Sequence, residues 1–249
     1  MSGAAQSALV TGGGGGLGAA ICRALHGAGY RVMVSDIDPA AAEKMAQSLS
    51  SSGDTAAAIR LDVTSRADLE AARDAMIARW GSAEILVNNA VLQRTTPVLD
   101  ITDEEFNQVM AVNVRGSFVA SQIFGRLFKD RGYGRIVNMA SLAGQNGGTA
   151  TGAHYAASKG AILTLTKVFA RDLAAFGVTV NAISPGPLDL PSVRTLVPQD
   201  KLDGIVRAIP AGTLGDAAYV ADLVLKLVAP DAGFVTGATW DVNGGLWMR

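Results

Sequence analysis

A tyrosine and a lysine in the segment HYAASKGA have the types and spacing for proton transfer. Tyr155 and Lys159 are four residues apart, so both would lie on one face of a helix. A phenol with a pKa of ~10 is a poor base near neutral pH, but a nearby ammonium group favours the phenolate and lowers that pKa. The pair therefore predicts a tyrosine that exchanges a proton with a substrate, although an ordinary helix surface also gives this spacing.

The stretch TGGGGGLGAAICRAL, residues 11–25, has the composition of a phosphate-binding turn. A short apolar strand, residues 8–10, runs into five glycines and then into an amphipathic helix. The N–H groups and the positive dipole at a helix N-terminus favour an anion, and glycine lets a pyrophosphate approach the main chain. A flexible loop is the alternative, but the order of strand, turn and helix favours a bound dinucleotide.

An aspartate after the second predicted strand bears on the choice of cofactor. Asp36 directly follows YRVMVS, residues 30–35. A carboxylate at this place can accept hydrogen bonds from a ribose diol and repel a 2′-phosphate. Residues 12–18 contain no Lys or Arg, which agrees. The pattern favours NAD over NADP, with a solvated turn aspartate as the alternative.

The elements that must position these residues alternate along the whole chain. Apolar runs predict strands at residues 8–10, 30–35, 56–61, 85–87, 135–139, 178–183 and 238–242. Helical periodicity and end signals predict helices at residues 17–28, 39–50, 66–80, 103–129, 153–176, 200–208 and 216–228. No linker interrupts the pattern, so we predict one α/β domain, residues 1–249, with a doubly wound parallel sheet and helices on both faces. Right-handed crossovers bring the strand ends that bind ligands to one edge.

Composition narrows the class of protein further. With 49% hydrophobic and 17% charged residues, the 249-residue chain is expected to bury a large core. A net charge of −1 provides no basic surface for nucleic acid or for an anionic membrane. Two histidines and one cysteine, Cys22, leave no plausible zinc site, so no metal is expected. No basic N-terminal region and no apolar run of ~20 residues are present, so we expect a cytoplasmic protein.

In order, the motifs of this chain resemble those of the classical short-chain dehydrogenase/reductases over essentially its whole length. They are TGGGGGLG, Asp36, Asp62-Val63, Asn88-Asn89-Ala90, Asn113 in VNVRG, Ser141 in VNMASLAG, YAASK and SPG. The resemblance implies a Rossmann-type fold. It also implies an enzyme that transfers hydride between NAD(P) and a secondary alcohol or ketone.

The resemblance implies a role for each matching residue. Tyr155 would be the general acid/base, Lys159 would lower its pKa and bind the nicotinamide ribose, and Ser141 would bind the substrate oxygen. Asn113 would hold a water molecule in a proton relay from Lys159. The implied cofactor contacts are Gly12, Gly16, Leu17 and Gly18 at the pyrophosphate, Asp36 at the ribose, Asp62 and Val63 at the adenine, and Asn89, Ala90, Tyr155, Lys159, Pro185 and Gly186 along the rest of the cofactor.

Two positions depart from the family pattern. Val91 replaces the glycine of N-N-A-G, and Leu190 stands where the family often has a threonine that contacts the carboxamide. Ser192 or Thr195 could supply the hydroxyl that Leu190 lacks.

Within the family, the chain resembles the acetoacetyl-CoA and β-ketoacyl-ACP reductases through GYGRIVNMASLAGQNG, QDKLDGIVRAIPAGTLG and FVTGATWDVNGGLWM. Those reductases usually use NADPH, whereas Asp36 favours NAD. A 3-oxoacyl thioester is therefore one substrate class, and a free cyclic or aromatic secondary alcohol, polyol or dihydrodiol is another. A non-catalytic nucleotide-binding protein is the alternative from a different class.

Residues 187–213 are expected to form a lid over the substrate. The apolar wall of this lid would come from Leu188, Leu190, Val193, Leu196 and Val197, with packing on the core as the alternative. We expect His154 on the helix surface, with a position at the mouth of the substrate site as the alternative. The resemblance also implies a homotetramer that buries the two long helices and the C-terminal WDVNGGLWMR, since Trp247 and Met248 would otherwise be exposed.

Overall fold

The computed structural model describes residues 5–148, 151–196 and 198–248. Val197 of the expected apolar wall lies outside these residues, as do the side chains of Ser192 and Leu196. A seven-stranded sheet with strand order β3-β2-β1-β4-β5-β6-β7 forms the centre of the molecule, and all six strand pairs are parallel. The strands are β1 (Ser7–Thr11), β2 (Arg31–Asp36), β3 (Ala56–Arg60), β4 (Ile85–Asn88), β5 (Gly134–Met139), β6 (Val178–Pro185) and β7 (Thr239–Val242).

Helices connect the strands on both faces of the sheet. They are α1 (Gly16–Gly27), α2 (Pro39–Leu49), α3 (Arg66–Trp80), α4 (Asp103–Met110), α5 (Ser117–Arg131), α6 (Ala143–Asn146), α7 (Ala153–Leu173), α8 (Pro191–Leu196), α9 (Gln199–Ala208) and α10 (Ala217–Val228). A π-helical segment (Ala111–Gly116) joins α4 to α5, and short 3-10 turns lie at Val98–Asp100, Ala174–Phe176 and Ala232–Phe234.

The two faces of the sheet bury two separate apolar layers, because successive strand residues point to opposite sides. Val10 and Val34 pack with α1, α2 and α10 in one layer. Leu9 and Leu86 pack with α3, α5 and α7 in the other. Both layers are fully buried at these positions. The doubly wound sheet predicted from the alternating elements is therefore confirmed.

Three details of the helices differ from the sequence prediction. The single helix expected over residues 103–129 is interrupted by the π-helical segment. The prediction assumed a regular α-helical period over this stretch, and such a period cannot locate a single wider turn. α6 and α8, of 4 and 6 residues, were missed because they are too short to show helical periodicity. The lid region accordingly holds two helices, α8 and α9, where one was expected.

Candidate active site

The glycine turn between β1 and α1 leaves space that only glycine can provide. Gly12 and Gly16 adopt φ angles of 64° and 52°, in the left-handed region that side chains rarely occupy. A Cβ atom on Gly18 would overlap the carbonyl oxygen of Gly12. Leu17 and Gly18 stand in the first turn of α1, which no side chain caps. Such a turn fits the pyrophosphate of a dinucleotide, as the sequence predicts.

A hydroxyl that the sequence analysis left unassigned joins this turn to the end of β4. Thr11 Oγ1 accepts hydrogen bonds from the N–H groups of Asn89 (2.9 Å) and Ala90 (3.0 Å) and donates to the carbonyl of Val87. The Asn89 side-chain amide donates to the carbonyls of Thr11 and Gly12, both at 3.0 Å. Asn89 and Ala90 therefore lie beside the glycine turn, and Asn89 supports its backbone. Thr11 is the first residue of the motif TGGGGGLG, and this position was the feature of the sequence from which its contact with the end of β4 could have been predicted.

Asp36 lies at the end of β2 beside the same turn. Its Oδ2 atom accepts a hydrogen bond from the N–H of Gly14 at 3.0 Å, and its Oδ1 atom accepts one from Asp38 at 3.1 Å. The half-exposed carboxylate thus borders the surface of the glycine turn. Asp36 and the glycine turn are therefore neighbours in the structure, as the sequence predicts.

Asp62 and Val63 follow β3 on the same edge. Asp62 Oδ1 accepts hydrogen bonds from the N–H and the hydroxyl of Thr64, at 2.9 and 2.7 Å. Val63 is buried against the π-helical segment, where a Cβ atom on Gly116 would lie 3.0 Å from Val63 Cγ2. The structure therefore places both residues at the predicted edge, while their contacts with adenine stay a prediction.

Tyr155 and Lys159 occupy the first two turns of α7 and are buried, with 8% and 4% of their surfaces exposed. Lys159 Nζ donates a hydrogen bond of 2.6 Å to the carbonyl of Met139, the last residue of β5, and lies 5.8 Å from the centre of the Tyr155 ring. Ser141, two residues after β5, lies close enough to Tyr155 for its hydroxyl to lower the pKa of the phenol. The fold thus brings together the hydroxyl, phenol and ammonium groups that the sequence predicted to act together.

Burial sets the pKa values of this cluster. Desolvation raises the pKa of Tyr155, and the hydrogen bond with Ser141 opposes that rise. The net direction is opposite to the lowering that the Tyr155–Lys159 spacing predicts, because the low-dielectric surroundings penalise the phenolate. Desolvation also lowers the pKa of Lys159 from 10.5 to about 8.

The lowered pKa of Lys159 makes stability depend on pH. Between about pH 8 and 10.5 the unfolded chain keeps a proton on this lysine that the folded chain releases, so the free energy of unfolding rises with pH. We expect Lys159→Met to be more stable than the parent at pH 7, by roughly 1–3 kcal/mol, and to lack this rise. Urea unfolding at pH 7 and pH 9.5 measures both, with the exposed Lys44→Met as the control. A constant difference between parent and Lys159→Met across this range contradicts the prediction.

Asn113 is buried in the π-helical segment, and all of its side-chain groups have protein partners. Its Oδ1 accepts the N–H of Leu92 at 2.7 Å, and its Nδ2 donates to the Leu92 carbonyl and to Ser158 Oγ. Ser158 Oγ in turn donates to the carbonyl of Tyr155 at 2.7 Å. Asn113 therefore ties the segment after β4 to α7. The water relay implied for Asn113 stays a prediction.

Pro185 and Gly186, at the end of β6, support the loop that carries Ser141. The Pro185 carbonyl accepts the N–H of Leu142 at 2.9 Å, and the Gly186 N–H donates to the Val242 carbonyl at 2.8 Å. A Cβ atom on Gly186 would lie 2.9 Å from Asn243 Cα, so strand β7 passes close to this turn. Both residues are at the predicted edge.

The two departures from the family pattern, Val91 and Leu190, follow β4 and β6. Val91 is 47% exposed directly after Ala90, and Leu190 is half-buried ahead of α8. The Thr195 hydroxyl, one proposed substitute for the missing threonine, donates to the Pro191 carbonyl at 2.9 Å within α8. Leu188 packs against the apolar layer of α1 and α10, so this member of the expected wall contacts the core.

The expected surface position of His154 is wrong. Its side chain is fully buried, and Nε2 lies 2.8 Å from Glu105 Oε1. Helix periodicity could not predict this burial, because the residues that cover His154 belong to α4 and the loop before it, which are distant in sequence.

None of the helices in the described part of the chain has the length and apolar character to cross a bilayer.

The chain is similar to known proteins over nearly its whole length. Residues 12–247 match the family model described as enoyl-(acyl carrier protein) reductase. The chain is 38% identical to the acetoacetyl-CoA reductase of Rhizobium meliloti, over 97% of this chain and 98% of the relative. It is 36% identical to the 3-oxoacyl-(acyl-carrier-protein) reductase FabG of Escherichia coli, over 97% of each chain, and 35% identical to the sorbitol dehydrogenase of Cereibacter sphaeroides, over 98% of each.

These relatives match nearly the full length of the chain, and the family model covers the glycine turn, the Ser141–Tyr155–Lys159 cluster and every strand of the sheet except β1. The protein is therefore an oxidoreductase that belongs to the short-chain dehydrogenase/reductase family.

Proposed function

We propose that the protein is an NAD(H)-dependent ketoreductase that interconverts a 3-oxoacyl and a 3-hydroxyacyl thioester. The observation that carries this proposal is the cluster of the buried Tyr155 and Lys159 with the partly buried Ser141, which the fold places at the same sheet edge as the glycine turn and Asp36. Relatives named as 3-oxoacyl-(acyl-carrier-protein) and acetoacetyl-CoA reductases support the substrate class.

Each residue of the cluster would have its own role when the ketone is reduced and its oxygen is protonated. A nicotinamide supplies a hydride when bound. Because burial raises the pKa of Tyr155, the phenol is protonated at neutral pH and can donate its proton to the ketone oxygen. The Ser141 hydroxyl would hydrogen-bond the same oxygen as negative charge develops there. Lys159, held by the Met139 carbonyl, would donate to the nicotinamide ribose and stabilise charge on Tyr155.

The preference for NAD rests on Asp36. In Asp36→Ala, we expect the NAD/NADP ratio of kcat/KM to fall about tenfold, because a ribose diol loses a charged acceptor and a 2′-phosphate loses a repelling one. Asp38→Ala is the matched control, since Asp38 only caps α2 through a 2.9 Å hydrogen bond from Ala40. A ratio that Asp36→Ala leaves unchanged, or that Asp38→Ala changes equally, speaks against the assignment.

A second candidate is an NAD-dependent dehydrogenase of a free secondary alcohol. The sorbitol dehydrogenase relative favours it, and Asp36 suits the oxidised NAD that such a reaction consumes.

We further propose that residues 187–213 form a lid over the substrate and belong to the same single domain as the sheet. Their position directly after Gly186 and the half-buried Leu190 and Val193 support this.

A paired substrate screen tests these alternatives. Each member of a panel of 3-oxoacyl thioesters, 2-enoyl thioesters, free ketones and polyols is assayed at 340 nm with NAD(H) and NADP(H). We expect the highest kcat/KM with a 3-oxoacyl thioester and NADH. Preference for a polyol or free ketone would select the second candidate. NADH binding without any turnover would instead indicate a non-catalytic nucleotide-binding protein.

A homotetramer and a cytoplasmic location complete the proposal. Apolar side chains stand exposed on the two long helices and near the C-terminus, where a monomer would leave them in water: Phe118, Val168, Trp247 and Met248. Light scattering coupled to size exclusion tests the tetramer, which requires four times the 25.6 kDa chain mass. Cell fractionation tests the location, which is expected where metabolism regenerates nicotinamide cofactors.

A further inference from the structure

The buried His154 lies directly before Tyr155, and the proton transfer described above does not use it. Its Nε2 atom lies 2.8 Å from Oε1 of Glu105 in α4. Its Nδ1 atom is also buried and has no hydrogen-bond partner among the described residues. A polar ring placed in such surroundings must depend on the contact with Glu105 for its position.

Glu105 receives a second hydrogen bond from the loop that precedes α4. The Thr96 hydroxyl donates to the same Oε1 atom at 2.6 Å. The hydrogen bonds with Thr96 and His154 lower the pKa of Glu105, so the carboxylate is ionised at neutral pH. An ionised carboxylate can only accept hydrogen bonds. The hydrogen of His154 is therefore assigned to Nε2, which donates to Glu105.

The short segment of residues 92–96 is attached at three points. Leu92 is bonded in both directions to the Asn113 side chain, and Thr96 is bonded to Glu105. Between them, the Arg94 carbonyl accepts the N–H of Gly152 at 2.9 Å. The contact with Gly152 is tight, since a Cβ atom there would lie 3.1 Å from the Arg94 oxygen and 2.7 Å from His154 Nδ1.

Two of these attachments lead to the start of α7, the helix that carries Tyr155. One is the hydrogen bond between Arg94 and Gly152, and the other runs from Thr96 through Glu105 to His154. Gly152 precedes α7, and His154 stands in its first turn. The segment itself leaves the sheet edge directly after Ala90 and Val91, next to the glycine turn. Its position and the position of Tyr155 are therefore coupled through His154 and Glu105.

We propose that His154 and Glu105 are positioning residues that hold residues 92–96 against the first turn of α7 and thereby shape the site at which a substrate would contact Tyr155. This inference rests on the proposed ketoreductase function. It assigns to a buried histidine a role in substrate affinity, separate from proton transfer and from cofactor binding.

Kinetics of His154→Phe test the proposal, because phenylalanine keeps a ring but cannot donate to Glu105. We expect kcat/KM for the ketone to fall about tenfold, mainly through a higher KM, because the partly exposed Glu105 carboxylate loses a donor and the segment loosens. The Kd for NADH should stay within about twofold, since no attachment to the glycine turn is lost. His154→Gln should restore kcat/KM, because its amide can donate to Glu105. The control His26→Phe, which removes an exposed contact with Thr55, should change neither constant.

Hydrogen–deuterium exchange provides a readout that does not need activity. The amides of residues 92–100 should exchange faster in His154→Phe than in the parent and in His154→Gln. Thr96→Val, which removes the other donor to Glu105, should loosen the same amides and serves as a second variant if His154→Phe fails to fold. Unchanged exchange in the folded variants, or a lower melting temperature with unchanged KM, overturns the positioning role. A parent without ketone reduction refutes the proposed function, while the exchange comparison still tests the positioning.

Discussion

Tyr155→Phe is expected to lower kcat for ketone reduction by roughly 10³-fold, because the variant loses the proton donor while keeping the ring. The ring fills a buried site between Ser141 and Lys159, so the fold around it should survive. NADH binding should weaken by no more than about tenfold, the cost of one lost hydrogen bond. Initial rates at 340 nm and NADH fluorescence titration measure the two effects separately.

Tyr133→Phe is the matched control for this variant. The Tyr133 hydroxyl is buried and has no hydrogen-bond partner among the described residues, and its ring stacks on Arg135 at the start of β5, at the opposite end of that strand from Met139. Its removal should leave kcat unchanged. If Tyr155→Phe retains more than about a tenth of the parent kcat, Tyr155 is not the general acid/base.

Gly18→Ala should raise the Kd for NADH by roughly 100-fold, because the added methyl group overpacks the glycine turn. The methyl group would overlap the Gly12 carbonyl oxygen and approach Asn89 Nδ2 to 2.7 Å. The turn must then shift away from the position at which α1 would contact the pyrophosphate. Fluorescence titration of NADH, with circular dichroism to verify folding, gives the comparison.

Gly27→Ala, at the other end of the same helix, separates this effect from a general change in α1. A Cβ atom on Gly27 meets nothing within 4 Å, so NADH should bind as it does to the parent. Equal affinities of the parent and a folded Gly18→Ala variant would exclude the glycine turn as the pyrophosphate site.

The architecture and the placement of the central polar groups at one sheet edge could be predicted because both leave local patterns. Alternating apolar runs and helical periods fixed the order of strands and helices, and parallel strands then bring residues such as Asp36 and Ser141 to one edge. Tyr155 and Lys159 share a helix face through their spacing alone. These inferences need only the residues within one element and the handedness of its connections.

Burial and partners could not be predicted, since they depend on segments distant in sequence. The sequence predicted His154 on the helix surface, but in the structure it is buried and contacts Glu105 of α4, which also binds Thr96 of the preceding loop. The spacing of Tyr155 and Lys159 predicted a lowered phenol pKa, but the packed interior raises it.

The sequence by itself thus determined the parallel sheet, the glycine turn and the chemical groups of the site, because periodicity and motif order are properties of the chain. Only the tertiary structure decided how those groups are held: Lys159 by the Met139 carbonyl, and Asn113 by Leu92 and Ser158. The physical reason is that desolvation and hydrogen-bond geometry are set by which elements pack together, and a linear pattern does not contain that information.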